Sequence, residues 1–62
     1  MKEISVRTKG HKSFWDLADS IEYISFDGKH LMVIYIMYIM GRNGKRIEKT
    51  IECEEFEIRE VM

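Results

Sequence analysis

Leu31-Met32-Val33-Ile34-Tyr35-Ile36-Met37-Tyr38-Ile39-Met40 is the stretch on which the fold turns. It holds no charge, no glycine and no proline, and it is rich in the β-branched and aromatic side chains that suit a pleated strand. It is about half the roughly 20 residues that an apolar helix needs to cross a bilayer. The run is therefore a long strand. Alternation puts Met32, Ile34, Ile36, Tyr38 and Met40 on one face and Leu31, Val33, Tyr35, Met37 and Ile39 on the other. Both faces are apolar, which an antiparallel sheet with one wet face does not require.

The flanking turns suggest which face is the core. Downstream, Arg42-Asn43-Gly44-Lys45 has the chemistry of a hairpin turn, followed by a strand over Ile47–Cys53. A two-residue Asn43-Gly44 loop would pair Met40 with Ile47, Ile36 with Ile51 and Ile34 with Cys53, making the even-numbered face the core. The same register sets Ile39, Met37 and Tyr35 opposite Glu48, Thr50 and Glu52. Upstream, Asp27-Gly28 is a second hairpin signal after a strand over Ile21–Phe26, and it carries Ile24 and Phe26 to the odd-numbered face. That face then gathers Phe26, Leu31, Val33, Tyr35, Met37 and Ile39, with Trp15 near it, and is expected to be an interface. An exposed apolar patch of this size is rare on a monomer. The chain's own helix, a second copy or a different protein could cover it. A central strand buried on both sides in one compact barrel is the plainer alternative.

Further out, Glu3–Thr8 alternates as a half-buried strand, and Phe56–Val61 supplies a fifth. Phe14, Leu17, Ala18 and Ile21 have helical spacing, and Ser13 with Asp16 resembles a capping box, so a short helix is expected over Phe14–Asp19. The fold class is mainly β, bordering on α+β. It is an antiparallel meander of about five strands in a single domain, residues 1–62, curled into a small barrel or strongly twisted sheet.

A 62-residue chain buries only about 60% of its unfolded surface, so small domains often rely on a disulfide, a metal or a partner subunit. Cys53 is the sole cysteine and cannot bridge internally; it is expected to be a buried small hydrophobe. His11, His30 and Cys53 match no zinc spacing. With no staple visible, self-association is expected, a homodimer first. No leader segment is evident and the apolar run is short, so a cytoplasmic setting without membrane contact is expected.

No phosphate loop, metal motif or dinucleotide fingerprint occurs, so neither an enzyme nor a cofactor is expected. Ser13, His11 and Asp16 are better explained as loop and cap residues than as a hydrolytic set. Glu52, Glu54, Glu55, Glu57 and Glu60 make the last third acidic. On strands this is ordinarily a solvated face. It could also dock on a partner with a basic groove, where complementary charge speeds association. Arg42, Lys45, Arg46 and Lys49 cluster at the second hairpin, but the net charge is −1 and no nucleic-acid signature is present.

In size and charge patterning alone, with no motif to carry it, the chain resembles the small proteins of phages and mobile elements, many of which block a host protein. The leading functional expectation is a non-enzymatic protein-binding module that acts by occlusion. The alternative is a nucleic-acid-binding small barrel using residues 42–49 and the N-terminal basic residues.

Overall fold

The computed structural model describes residues 1–8 and 13–61. Five antiparallel strands form one sheet: β1 (Lys2–Arg7), β2 (Phe14–Phe26), β3 (His30–Met37), β4 (Arg46–Glu52) and β5 (Glu55–Glu60), in the spatial order β4-β3-β2-β1-β5. The mainly β antiparallel fold expected from alternation is present. The helix is not. Residues 14–19 belong to β2, a single strand of 13 residues.

The helical spacing has an extended-chain origin. The first half of β2 pairs with β1 and the second half with β3. Two register shifts lie within β2, between Ala18 and Ser20 and between Ile21 and Tyr23, so Asp19 and Glu22 are the extra residues of two bulges. Each bulge resets the alternation, and the inward positions become 14, 16, 18, 21, 24 and 26. Steps of four and three from Phe14 to Ala18 to Ile21 therefore mimic a helix face. Bulges also sharpen twist and bend a strand. Here they divide the sheet into a β5-β1-β2 half and a β2-β3-β4 half that curl around a shared interior. The sheet is twisted but open, with β4 and β5 as its edges.

The interior is lined by Ile4, Val6, Ala18, Leu31, Val33, Tyr35 and Cys53, all buried, with Phe14, Ile21, Met37, Ile47, Ile51, Phe56 and Ile58 packed around them. Leu31, Val33 and Tyr35 are 0% exposed. The odd-numbered face of β3 is thus the core, and the expected assignment of the two faces is reversed. The cause is the second hairpin. Tyr35 pairs with Ile47 and Leu31 with Ile51, rather than Tyr35 with Glu52 and Ile36 with Ile51. The offset from the expected register is an odd number of residues, so every side chain changes face.

The turn is not Asn43-Gly44. Residues 38–45 connect the strands, with a β-turn in which Arg42 N–H donates to the Ile39 carbonyl at 3.5 Å and Gly41 has φ 82°. Only glycine takes that conformation readily. Gly44 serves packing instead. A Cβ there would collide with the Met37 carbonyl oxygen. The first hairpin follows its sequence signal: Ile24 pairs with Val33 and Phe26 with Leu31. Gly28 has φ 95°, and the Asp27 carboxylate accepts the Lys29 and His30 amides at 2.9 and 2.6 Å.

One polar contact is built into the interior wall. The Tyr35 hydroxyl donates to the Asp16 carboxylate at 2.5 Å. Burial first, and the neighbouring Asp16 second, push the Tyr35 phenol well above its ordinary value, so it stays a donor. Asp16 is therefore a cross-strand anchor and not a helix cap.

Three substitutions test this arrangement. Val33→Asp buries an unpaired charge and should abolish the cooperative unfolding transition, while Met32→Asp on the outer face should leave it intact, both read by circular dichroism in urea. Tyr35→Phe should lower unfolding free energy by about 1–3 kcal/mol, because Asp16 loses its donor.

Candidate interaction surface

Because the odd-numbered face is internal, the outer surface of the β2-β3-β4 half is made by the other set of side chains. The register sets Tyr23 beside Ile34, Ser25 beside Met32 and Ser20 beside Ile36. On the β4 side, Ile36, Ile34 and Met32 face Arg46, Glu48 and Thr50. Tyr23 is 50% exposed and Met32 39%, with Ile34 and Ile36 half-buried. The result is a convex apolar strip, Tyr23-Met32-Ile34-Ile36, crossing two strands.

Its border is charged. Arg46 donates through Nε to Glu22 at 2.9 Å and through Nη1 to Glu48 at 2.7 Å. These two carboxylates hold its guanidinium above its ordinary pKa. Glu22 reaches this border because it is the bulged residue of β2. His30 and Glu52 pair at the far end of the same face. Glu22 and Glu48 flank one guanidinium at one end and Glu52 stands at the other, so the border is acidic on balance. A partly desolvated apolar centre with a charged rim is the general anatomy of a protein interface.

The residues expected to form one interface are dispersed. Leu31, Val33 and Tyr35 are inside the domain and unavailable to a partner. Met37 packs on the same core. Phe26 is half-exposed on the inner side and makes an edge-to-face contact with Phe56, centroids 5.2 Å apart, where the two halves of the sheet meet. Ile39 is in the 38–45 loop, half-buried beside Met40, which is 84% exposed. Trp15 is 58% exposed but belongs to the outer face of the other half, paired with Ser5 of β1. Trp15 also borders a cleft of about 420 Å³ with Ser5, Arg7, Glu55 and Glu57.

The acidic set divides as well. Glu55 pairs with Arg7 at 2.8 Å, Glu60 with Lys2 at 2.7 Å and Glu57 with Arg59 at 3.9 Å. Arg59 also donates to Glu3 at 2.6 Å. Much of the β5 charge is thereby balanced by β1 and by Arg59. Glu52 joins the convex border, and Glu54 lies in the two-residue link before β5.

The basic hairpin is partly neutralised too. Arg46 is engaged as described, and the Lys49 ammonium sits 5.1 Å from the centre of the Phe14 ring. The sequence signal for the convex strip was the second apolar face of residues 31–40. What concealed its place on the outer face was the loop length.

Cys53 is buried at the β4–β5 link, and burial pushes its thiol above the ordinary value, which disfavours the reactive thiolate. Among the described residues, no group of three or more His, Cys, Asp or Glu side chains could hold a metal ion. No helix among them is long and apolar enough to cross a membrane. His11, part of the loop considered for hydrolysis, lies outside the described residues. Comparison with protein-family models, with curated proteins and with solved structures finds no match.

The surface ion pairs set an acid limit. The Arg59 hydrogen bond lowers the Glu3 carboxyl, and the Lys2 hydrogen bond lowers that of Glu60. The unfolded chain then binds more protons than the folded one in the acid range, so stability present above the ordinary carboxylate pKa is lost as pH falls below about 4.3. Urea midpoints measured against pH should be level near neutrality and decline through this range.

Proposed function

We propose that this domain is a non-enzymatic protein-binding module that acts by occluding a partner's surface. The observation that carries the reading is the convex strip, with half-exposed Tyr23 beside Ile34 and Met32 next along β3's outer face, between the Glu22–Arg46–Glu48 cluster at one end and Glu52 at the other. The sheet holds these side chains at fixed spacing, so they lose little freedom on contact. Tyrosine is among the residue types that most often anchor such contacts. The acidic balance of the border selects a partner whose apolar spot is surrounded by basic groups, since like charge across an interface is costly. Such a surface is found in grooves that bind acidic ligands, and filling one excludes its usual occupant. The domain also self-associates in this reading, and a cytoplasmic setting suits its lone buried cysteine.

The test is site-specific photocrosslinking in the cells of origin, with a photoreactive aromatic residue placed at Tyr23 or, as a control, at Glu57 on the opposite half. A discrete protein adduct from position 23, absent from position 57 and removed by Met32→Glu, is the expected result. Equal labelling from both positions would overturn the reading. So would tight, steeply salt-dependent binding to bare oligonucleotides, which belongs to a nucleic-acid-binding barrel.

A further inference from the structure

The β4 edge carries information beyond the convex strip. Taking up the self-association in the reading above, we infer that two copies of this chain pair through their β4 strands, antiparallel, about a two-fold axis at Lys49. β4 ends the sheet and is bonded on one side only. The Met37 amide donates to the Lys45 carbonyl at 2.8 Å, and the Cys53 amide donates to the Lys29 carbonyl at 2.9 Å. These bonds fix the phase of the β3–β4 ladder. Ile47, Lys49 and Ile51 direct their backbone groups to β3, and Arg46, Glu48, Thr50 and Glu52 direct theirs outward. The outward N–H and C=O groups are a template for another strand.

The side chains select the register. A two-fold axis normal to the sheet pairs residues of equal parity. Centred on Lys49, it sets Arg46 opposite Glu52, Ile47 opposite Ile51 and Glu48 opposite Thr50, each pair occurring twice. Outward backbone groups then meet outward backbone groups. Ile47 and Ile51, half-buried in one chain, form cross-strand apolar pairs on the inner side. Moving the axis to Glu48 sets that residue opposite itself. Moving it to Thr50 sets Glu48 opposite Glu52. Like charges directly opposite are unfavourable. The chosen register brings the two Lys49 residues together, but each ammonium is turned toward its own Phe14 ring.

Two of the usual protections of an edge, a proline and a bulge, are missing from β4, although Lys49 places a charge on its inner side. It has no proline, and its pairing with β3 runs without a register shift from Arg46 to Glu52. The opposite edge, β5, is less suited. Its sequence EFEIRE carries three carboxylates against one cation, whereas RIEKTIE in β4 carries two of each. A seven-residue pairing buries less than the roughly 800 Å² per partner of a standard stable interface. The dimer should therefore be micromolar, and it would lay the two convex strips side by side on one continuous sheet.

Sedimentation equilibrium of the full chain over a micromolar-to-millimolar series should show a reversible monomer–dimer transition. Arg46→Glu alone, and Glu52→Arg alone, should each weaken it by about tenfold. Mixing the two variants should restore association. In the mixed dimer, both cross-strand pairs between positions 46 and 52 again join a carboxylate to a guanidinium. Amide hydrogen exchange of the unmodified chain gives a second readout that needs no variant. Protection of Glu48 and Thr50 amides should rise with concentration, while that of Ile58 should not. A single-chain mass at every concentration overturns the inference and leaves the photocrosslinking result to decide the binding reading. A dimer with unprotected Glu48 and Thr50 amides places the contact elsewhere and overturns it too.

Discussion

The bend in β2 is the constraint from which the remaining architecture follows. A flat sheet of five strands would leave one broad apolar face in water, and this chain has no helix among its described residues to cover it. The bulges at Asp19 and Glu22 let a single strand serve two half-sheets, so that the sheet covers itself. Ile4 and Val6 from one half meet Leu31, Val33 and Tyr35 from the other. The Tyr35–Asp16 hydrogen bond joins the two parts of the bend directly, since Asp16 precedes the bulges and Tyr35 pairs with Ile21 between them. The same bulge that permits the fold delivers Glu22 to Arg46 on the outer face.

Much of this was legible in the residues, and the failures have definite causes. Alternation located β1, β3, β4 and β5 to within a few residues, and Asp27-Gly28 put Ile24 and Phe26 on the correct face of β3. The second hairpin went wrong because Asn43-Gly44 has the chemistry of a tight turn, while the chain uses Gly41 for its positive φ and Gly44 for close approach to Met37. That error inverted β3. The inversion in turn made core residues look like an interface and residues of the outer face look like core. The expected helix had a different source, since two bulges convert a period of two into steps of three and four. Alternation cannot report a bulge, because the extra residue has no signature of its own when it is a common polar type such as Asp19 or Glu22.

The candidate surface was half visible. Two apolar faces on one strand do signal that something more than a solvated sheet is present. Which face is surplus depends on the register of β3 with β4, which follows from the length of the 38–45 connection. The acidic C-terminal third is another case. Its composition is plain, but its meaning changes once Lys2, Arg7 and Arg59 lie alongside it in the ladder.

The pairing of the first strand with the last has a kinetic consequence. Lys2 meets Glu60 and Arg7 meets Glu55, so one side of β1 is bonded to residues at the far end of the chain. Hairpins β2–β3 and β3–β4 can zip locally within microseconds, but closing so large a loop is entropically slow. During synthesis the N-terminal strand emerges with one naked margin and must wait for its final neighbour. Maturation of this small domain should accordingly be gated by its tail, and a chain halted before residue 55 should be an aggregation-prone intermediate rather than a stable shorter fold.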